Sequence, residues 1–278
     1  MTSAAGSPVA PGTPAAPVFL GVSLKTYFDH RQTVEWAAKL VEAGRAWSVS
    51  PEEVEIVLLP SFPSIPAVAQ AVGSAGVKVG AQNLSQFGAG PYTGEVWGRS
   101  LAQVGCSYVE LGHAERRALF GETDAVVQSK VAAAIASGLI PLICVGEAAQ
   151  TSPGEAAELC VRQFANALGG VSSPPQLVLA YEPIWAIGSK DPAPAEHIDC
   201  VAQALHAWAR RHCLGSTIRV IYGGTAGPGT LSSLGSSVDG LFLGRRVHDP
   251  CAFRQIVAEA EIRARNRVGT ISVARRTE

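Results

Sequence analysis

The stretch QLVLAYEPIWAIGSK, residues 176–190, runs from a continuous apolar segment into one acidic residue, Glu182, and then into turn formers. An apolar run without alternation fits a strand covered on both faces, the habit of parallel sheets. The proline, tryptophan and glycine that follow fit a loop. A carboxylate at the end of a buried strand, beside a loop able to close over it, points to a base shielded from water.

Seven more runs of this kind follow the same pattern: VFLGVSL (18–24), VEIVLLP (54–60), VKVGAQN (77–83), YVELG (108–112), IPLICVG (140–146), IRVIYGG (218–224) and VDGLFLG (238–244). Amphipathic stretches lie between them. QTVEWAAKLVEAG puts Val34, Ala37, Ala38 and Val41 on one stripe and stops at a glycine. SPGEAAELCVRQFANALGG opens on a serine cap followed by proline, and PAEHIDCVAQALHAWARRH ends in basic residues that suit a helix C-terminus. Eight strands, each followed by a helix, within about 250 residues is the count of an α/β fold of the single-domain (β/α)8 barrel type. An open doubly wound sheet shares the local pattern but carries a glycine fingerprint after its first strand, and none is present here.

The 278 residues are 47% hydrophobic and 16% charged, which describes a large core rather than a disordered chain. A net charge of −1 gives no reason to expect nucleic-acid or membrane partners, and no apolar run approaches a membrane span. Six scattered cysteines without C-x-x-C or zinc spacing suit a reducing, cytoplasmic setting and predict no metal. MTSAAGSPVAPGTPAAP lacks a basic start and a continuous apolar core, so it reads as a disordered tail rather than a signal peptide. The expected division is a tail at 1–16, one barrel domain at 17–265 and a C-terminal tail at 266–278.

In a barrel the ends of the strands converge on one mouth. Lys25 follows the first strand, His113 the fourth and Glu182 the sixth. A lone lysine near a strand end is usually solvated and a lone histidine usually structural; three titratable groups at three strand ends favour chemistry. Gly188 after the sixth strand, Gly223 and Gly224 after the seventh, and Gly244 after the eighth offer backbone N–H groups for a phosphate.

SLKTY (23–27), AQN (81–83), YTGE (92–95), GHAERR (112–117), CVGE (144–147), AYEPIWAIGSK (180–190) and YGGTA (222–226) occur in this order. With these segments the chain resembles the triosephosphate isomerase family from about residue 18 to 263, and thereby a TIM barrel. The resemblance implies that Glu182 is the base moving a carbon-bound proton and His113 the neutral electrophile. Lys25 would supply positive charge, held in place by Glu115. Residues 183–192, with Pro183, Ile184, Trp185, Ala186, Ile187 and Ser189, would form a lid. Gly188, Thr225 and Gly244 would hold the phosphate. Tyr92, Thr93, Gly94 and Glu95 look like the family's interdigitating loop, which implies a homodimer with Thr93 reaching the neighbouring subunit's site. No cofactor is implied.

The chain also departs from the family pattern. Ser23 stands where the family has asparagine, Leu24 where it has tryptophan and Ala114 where it has serine. Lys190 and Asp191 alter the far hinge of the lid. Arg245 replaces a glycine whose backbone approaches the phosphate, and it has three options: to clash, to turn outward or to add charge. Ser23 leaves space where a substrate can carry an extra hydroxymethyl group.

The resulting expectation is isomerisation of a short sugar phosphate through an enediol(ate), with dihydroxyacetone phosphate and glyceraldehyde 3-phosphate, the glycolytic pair, as default. L-erythrulose 1-phosphate and D-erythrulose 4-phosphate are the alternative. A phosphate-binding barrel lyase would explain the glycine pairs but not GHAERR. A silent sugar-phosphate-binding barrel would fit the loss of one of Lys25, His113 or Glu182, and all three are present.

Overall fold

The computed structural model describes residues 16–44, 50–171, 174 and 176–274. Nearly all of the expected N-terminal tail lies outside these residues. Eight parallel strands close into a barrel in sequence order: β1 (Val18–Ser23), β2 (Val54–Leu59), β3 (Lys78–Ala81), β4 (Cys106–Leu111), β5 (Ile140–Val145), β6 (Gln176–Tyr181), β7 (Thr217–Tyr222) and β8 (Gly240–Leu243). Around them run α1 (His30–Gly44), α2 (Ile65–Val72), α3 (Gly98–Gln103), α4 (Ala114–Phe120), α5 (Asp124–Ala136), α6 (Pro153–Leu168), α7 (Ala195–His212), α8 (Thr230–Ser233) and α9 (Pro250–Ala274). The last helix continues past residue 265, where the sequence suggested that a tail begins. Residues 266–274 continue α9 as helix.

Both faces of the strands are buried, which is why they read as unbroken apolar runs. Outward-facing side chains such as Val109, Leu111, Leu177 and Leu179 join the core beneath the helices. Inward-facing ones such as Val57, Leu142, Val178 and Ile221 fill the barrel. Helix ends follow local chemistry. Ser152 caps α6 reciprocally with Glu155, each side chain accepting from the other's backbone N–H. Arg210, Arg211 and His212 occupy the last turn of α7.

The N-terminal end of the barrel interior is polar and self-compensating. Arg219 is fully buried, pairs with Glu55, donates to the Tyr108 hydroxyl at 2.8 Å and lies 4.6 Å over the Phe19 ring. Glu55 also accepts from Tyr108 at 2.7 Å and Lys78 at 2.6 Å. Burial opposes the Glu55 charge, but these cations and donors hold its carboxyl below the ordinary value.

The sheet closes where β8 pairs with β1, from Phe19 opposite Gly240 to Val22 opposite Leu243. A Cβ on Gly240 would overlap the Phe19 carbonyl, whereas one on Gly154 in α6 would meet nothing within 4 Å. Gly240→Ala is therefore expected to destabilise the fold by about 1–3 kcal/mol or more. Gly154→Ala is expected to stabilise it by about 0.5–1 kcal/mol. Denaturant unfolding of both variants checks this pair of opposite signs.

Candidate active site

Side chains alternate along each strand, so Ser23, Glu110, Cys144 and Glu182 all turn inward and form the top layer of the barrel interior. Each is buried. Above them opens a cavity of about 490 Å³, walled by Ser23, Lys25, His113 and Glu182 on one side and by the loops after β6, β7 and β8 on the other.

Lys25 follows β1 with φ +49, the one positive value outside glycine among the described residues. Gln82 donates to its carbonyl at 3.0 Å, tying this backbone to the end of β3. Its Nζ lies 2.6 Å from Glu115 Oε1. Burial disfavours the ammonium, but the hydrogen bond and charge of Glu115 outweigh it and hold the pKa above the ordinary lysine value. Lys25 is a fixed positive charge at the rim.

His113 caps α4, and its Nδ1 accepts the backbone N–H of Glu115 at 3.1 Å. An accepting Nδ1 carries no proton, so the proton of the neutral ring sits on Nε2, facing the cavity. Burial, then the charge of Lys25, lowers the pKa to about 4.

Glu182 lies just beyond β6, its backbone N–H donating to Val145 at 2.8 Å. Its Oε1 stands 3.5 Å from His113 Nε2. Burial first, and the charge of Glu110 second, push its pKa up to about 8. Gly223 makes room for it, since a Cβ there would sit 2.8 Å from Glu182 Cγ. That corrects the expectation for Gly223. Its N–H is given to the Tyr181 carbonyl at 2.8 Å, so the residue supplies space for the Glu182 side chain rather than a donor for an anion.

The segment after Glu182 is pinned over the site. A 3₁₀ turn spans Ile184–Ala186 between Pro183 and Ile187. Trp185 Nε1 donates to Glu147 Oε1 at 2.8 Å, as does the Tyr181 hydroxyl at 2.9 Å, and His197 Nε2 lies 3.2 Å away. Thr225 donates to the Ala186 carbonyl at 2.8 Å, as does Ser189 at 2.9 Å. The Ala193 N–H donates to the Tyr222 hydroxyl at 3.0 Å. Gly188 holds φ +74, a left-handed conformation that glycine adopts without strain.

Gly188, Gly224, Thr225 and Gly244 converge on the far wall of the cavity. A 3₁₀ turn, Arg245–His248, starts there, and Gly244, Arg245 and Arg246 line the cavity. Arg245 avoids a clash: its guanidinium turns over the Tyr27 ring at 5.3 Å, on the rim of the cavity. Tyr92, Thr93, Gly94 and Glu95 do not line the cavity; they are exposed, with Tyr92 stacked on Phe87 at 4.3 Å.

Sequence reasoning missed Glu110, Glu147, Cys144, Tyr222 and Gln82. Glu110 did leave a signal, as the one charge inside the apolar run YVELG.

If Nδ1 of His113 is engaged as an acceptor, the ring should stay neutral with its proton on Nε2 from pH 9 down to about pH 5, because its pKa is about 4. Nitrogen NMR of labelled protein reads both the tautomer and the charge. A ring that titrates near pH 6.5 would contradict this geometry.

Comparison with known proteins adds to this geometry. The profile of triosephosphate isomerase matches residues 18–260. An L-erythrulose-1-phosphate isomerase of Pectobacterium atrosepticum is 47% identical over 245 residues, covering 87% of this chain and 95% of the relative. A triosephosphate isomerase of Symbiobacterium thermophilum is 42% identical over 222 residues, 76% of this chain and 86% of the relative. An L-erythrulose-1-phosphate isomerase of Mesorhizobium japonicum is 39% identical over 216 residues, 75% and 85%. With its closed eight-stranded barrel and a family match across most of its length, the chain belongs to the triosephosphate isomerase family and is an isomerase.

Proposed function

We propose that this isomerase interconverts four-carbon ketose phosphates, L-erythrulose 1-phosphate and D-erythrulose 4-phosphate, by proton transfer through an enediolate. The observation that carries the chemistry is the meeting of three groups under one lid: a buried carboxylate, a neutral imidazole 3.5 Å from it and a lysine ammonium. Glu182 removes the proton from the hydroxyl-bearing carbon next to the carbonyl. His113 donates its Nε2 proton to the carbonyl oxygen, a stabilisation aimed at the charge as it develops. Lys25 adds positive charge for the enediolate and the phosphate. Glu182 then returns the proton to the neighbouring carbon while the hydroxyl on the first carbon gives its proton back to His113 Nε2, which restores both groups and leaves the carbonyl one carbon along. Exclusion of water raises the basicity of Glu182, the use of burial known for this enzyme family.

Two facts favour four carbons. Ser23 leaves room beside the reacting carbons where the family carries the larger asparagine. The relative at 47% identity is named for L-erythrulose 1-phosphate. The triose pair is the second reading, favoured by relatives at 39–42% identity that are named triosephosphate isomerase; it would place the protein in glycolysis. No helix among the described residues is long and apolar enough to cross a membrane, and six free cysteines support a cytoplasmic setting. The exposed Phe87–Tyr92 stack at the tip of the 87–95 loop supports a homodimer in which this loop docks on a second copy.

Turnover of erythrulose phosphates in deuterated water should place solvent deuterium on the substrate carbon, with kcat/KM falling as pH drops below about 8, where Glu182 takes up its proton. Glu182→Gln should lose ~10²–10⁴-fold in kcat and the pH-dependent limb with it. Absence of exchange would rule out proton transfer through an enediolate, and turnover of trioses alone would rule out the four-carbon substrate.

Sedimentation at micromolar concentration should give a dimer that a Tyr92→Ala, Phe87→Ala double variant weakens. A fully active monomer would remove the shared interface.

A further inference from the structure

Ser23 and Glu110 lie 87 residues apart in sequence and meet at the top of the barrel interior, where the Ser23 hydroxyl donates to Glu110 Oε2 at 2.8 Å. Glu110 is buried. Lys25, Glu115 and Arg116 are the charges that act on it from the β1 loop and α4. Toward the cavity, its Oε1 lies 3.9 Å from His113 Nε2, with Glu182 beyond. Only Ser23 of the pair lines the cavity. A carboxyl left this deep, without a cation in contact, is retained for a reason other than stability.

A serine hydroxyl has one proton and two lone pairs. With that proton given to Glu110, Ser23 can only accept from whatever lies in the cavity. A ketose carbonyl or an enediolate oxygen offers no proton and finds no partner there. A carboxamide at the same place would donate to those oxygens. A substrate hydroxyl, by contrast, can donate to Ser23. Above about pH 8, where Glu182 is ionised, Glu110 with its carboxyl at about 7 is ionised as well and remains an acceptor.

We propose that Ser23 accepts a hydrogen bond from the terminal hydroxyl of a four-carbon ketose phosphate, and that Glu110 is the positioning residue that makes Ser23 an acceptor. The proposal rests on the four-carbon reading above and adds the residues that select for the fourth carbon's hydroxyl. A buried polar group built to meet a substrate hydroxyl rejects an analogue that lacks it, because the group is then left unpaired.

The test compares kcat/KM for L-erythrulose 1-phosphate with that for the same molecule carrying a methyl group in place of its hydroxymethyl. Wild type should penalise the methyl analogue by about tenfold or more. Ser23→Ala should reduce this penalty to within about twofold. Glu110→Leu, which frees the serine proton, should do the same. Glu110→Gln, whose amide oxygen can still take that proton, should keep it. A general loss of basicity at Glu182 would lower both rates together and leave their ratio unchanged. If wild type ignores erythrulose 1-phosphate and turns over only trioses, the four-carbon reading fails and takes the pairing with it. If wild type uses erythrulose 1-phosphate but shows no penalty, or Ser23→Ala retains it in full, the reading stands and the pairing is overturned. Should Glu110→Leu not fold, Ser23→Ala and Glu110→Gln decide the matter.

Discussion

Closure of a parallel sheet is the constraint from which the rest follows. Because all eight strands point the same way, every strand ends at one rim, and groups far apart in sequence are delivered to one place. The β8–β1 pairing sets the geometry of that rim most directly. Ser23 and Lys25 leave one side of this seam, Gly244 and Arg245 the other. A side chain at Gly240 would force the two strands apart and separate Ser23 and Lys25 from Gly244 and Arg245. Site and closure are one feature seen from two directions.

The two ends of the barrel interior treat buried charge in opposite ways. At the base, Arg219 and Lys78 answer Glu55, and the carboxyl stays ionised below its ordinary value. At the top, Glu110 and Glu182 touch no cation, and both hold their protons more tightly than usual. The apolar middle layer of Val57, Leu142, Val178 and Ile221 lies between the two. Outside the barrel, Glu147 accepts from Tyr181 and Trp185 and ties the segment after Glu182 to the end of β6. Carboxyls paired with cations lie at the base of the barrel, and those without a cation in contact lie beneath and beside the cavity at its top.

Most of this architecture could be read from the chain because burial on both faces leaves a plain trace. Strands such as VEIVLLP had nothing polar to confuse them, apart from glutamates whose partners lie on other strands. Lys25, His113 and Glu182 were legible because each interrupts an apolar run at its end. Glu110 was hidden for the converse reason, lying inside YVELG, where a charge looks like a tolerated exception. Its partner Ser23 is on β1, and a bond across a barrel leaves no local periodicity. Gly223 was misread because sequence records the absence of a side chain without saying whether the gap serves a donor or a neighbour. Residues 266–278 were read as a tail, whereas α9 continues as helix to Ala274.

The depressed histidine and the two elevated carboxyls also tie the stability of the fold to protons. In an unfolded chain Glu110 and Glu182 would ionise near 4.5, whereas folded they do so at about 7 and 8. Between those values the unfolded state has released protons that the folded state retains, so rising pH draws stability away through these two groups. His113 acts in the opposite sense. Its folded value of about 4 lies below the ordinary 6.5, so its contribution is present above pH 6.5 and is lost as the medium acidifies toward 4. Across the overlap, two carboxyls oppose one imidazole. The fold rests most easily in mild acid, where Glu110 and Glu182 still hold their protons, and it bears the largest cost in mild alkali, where both have lost them.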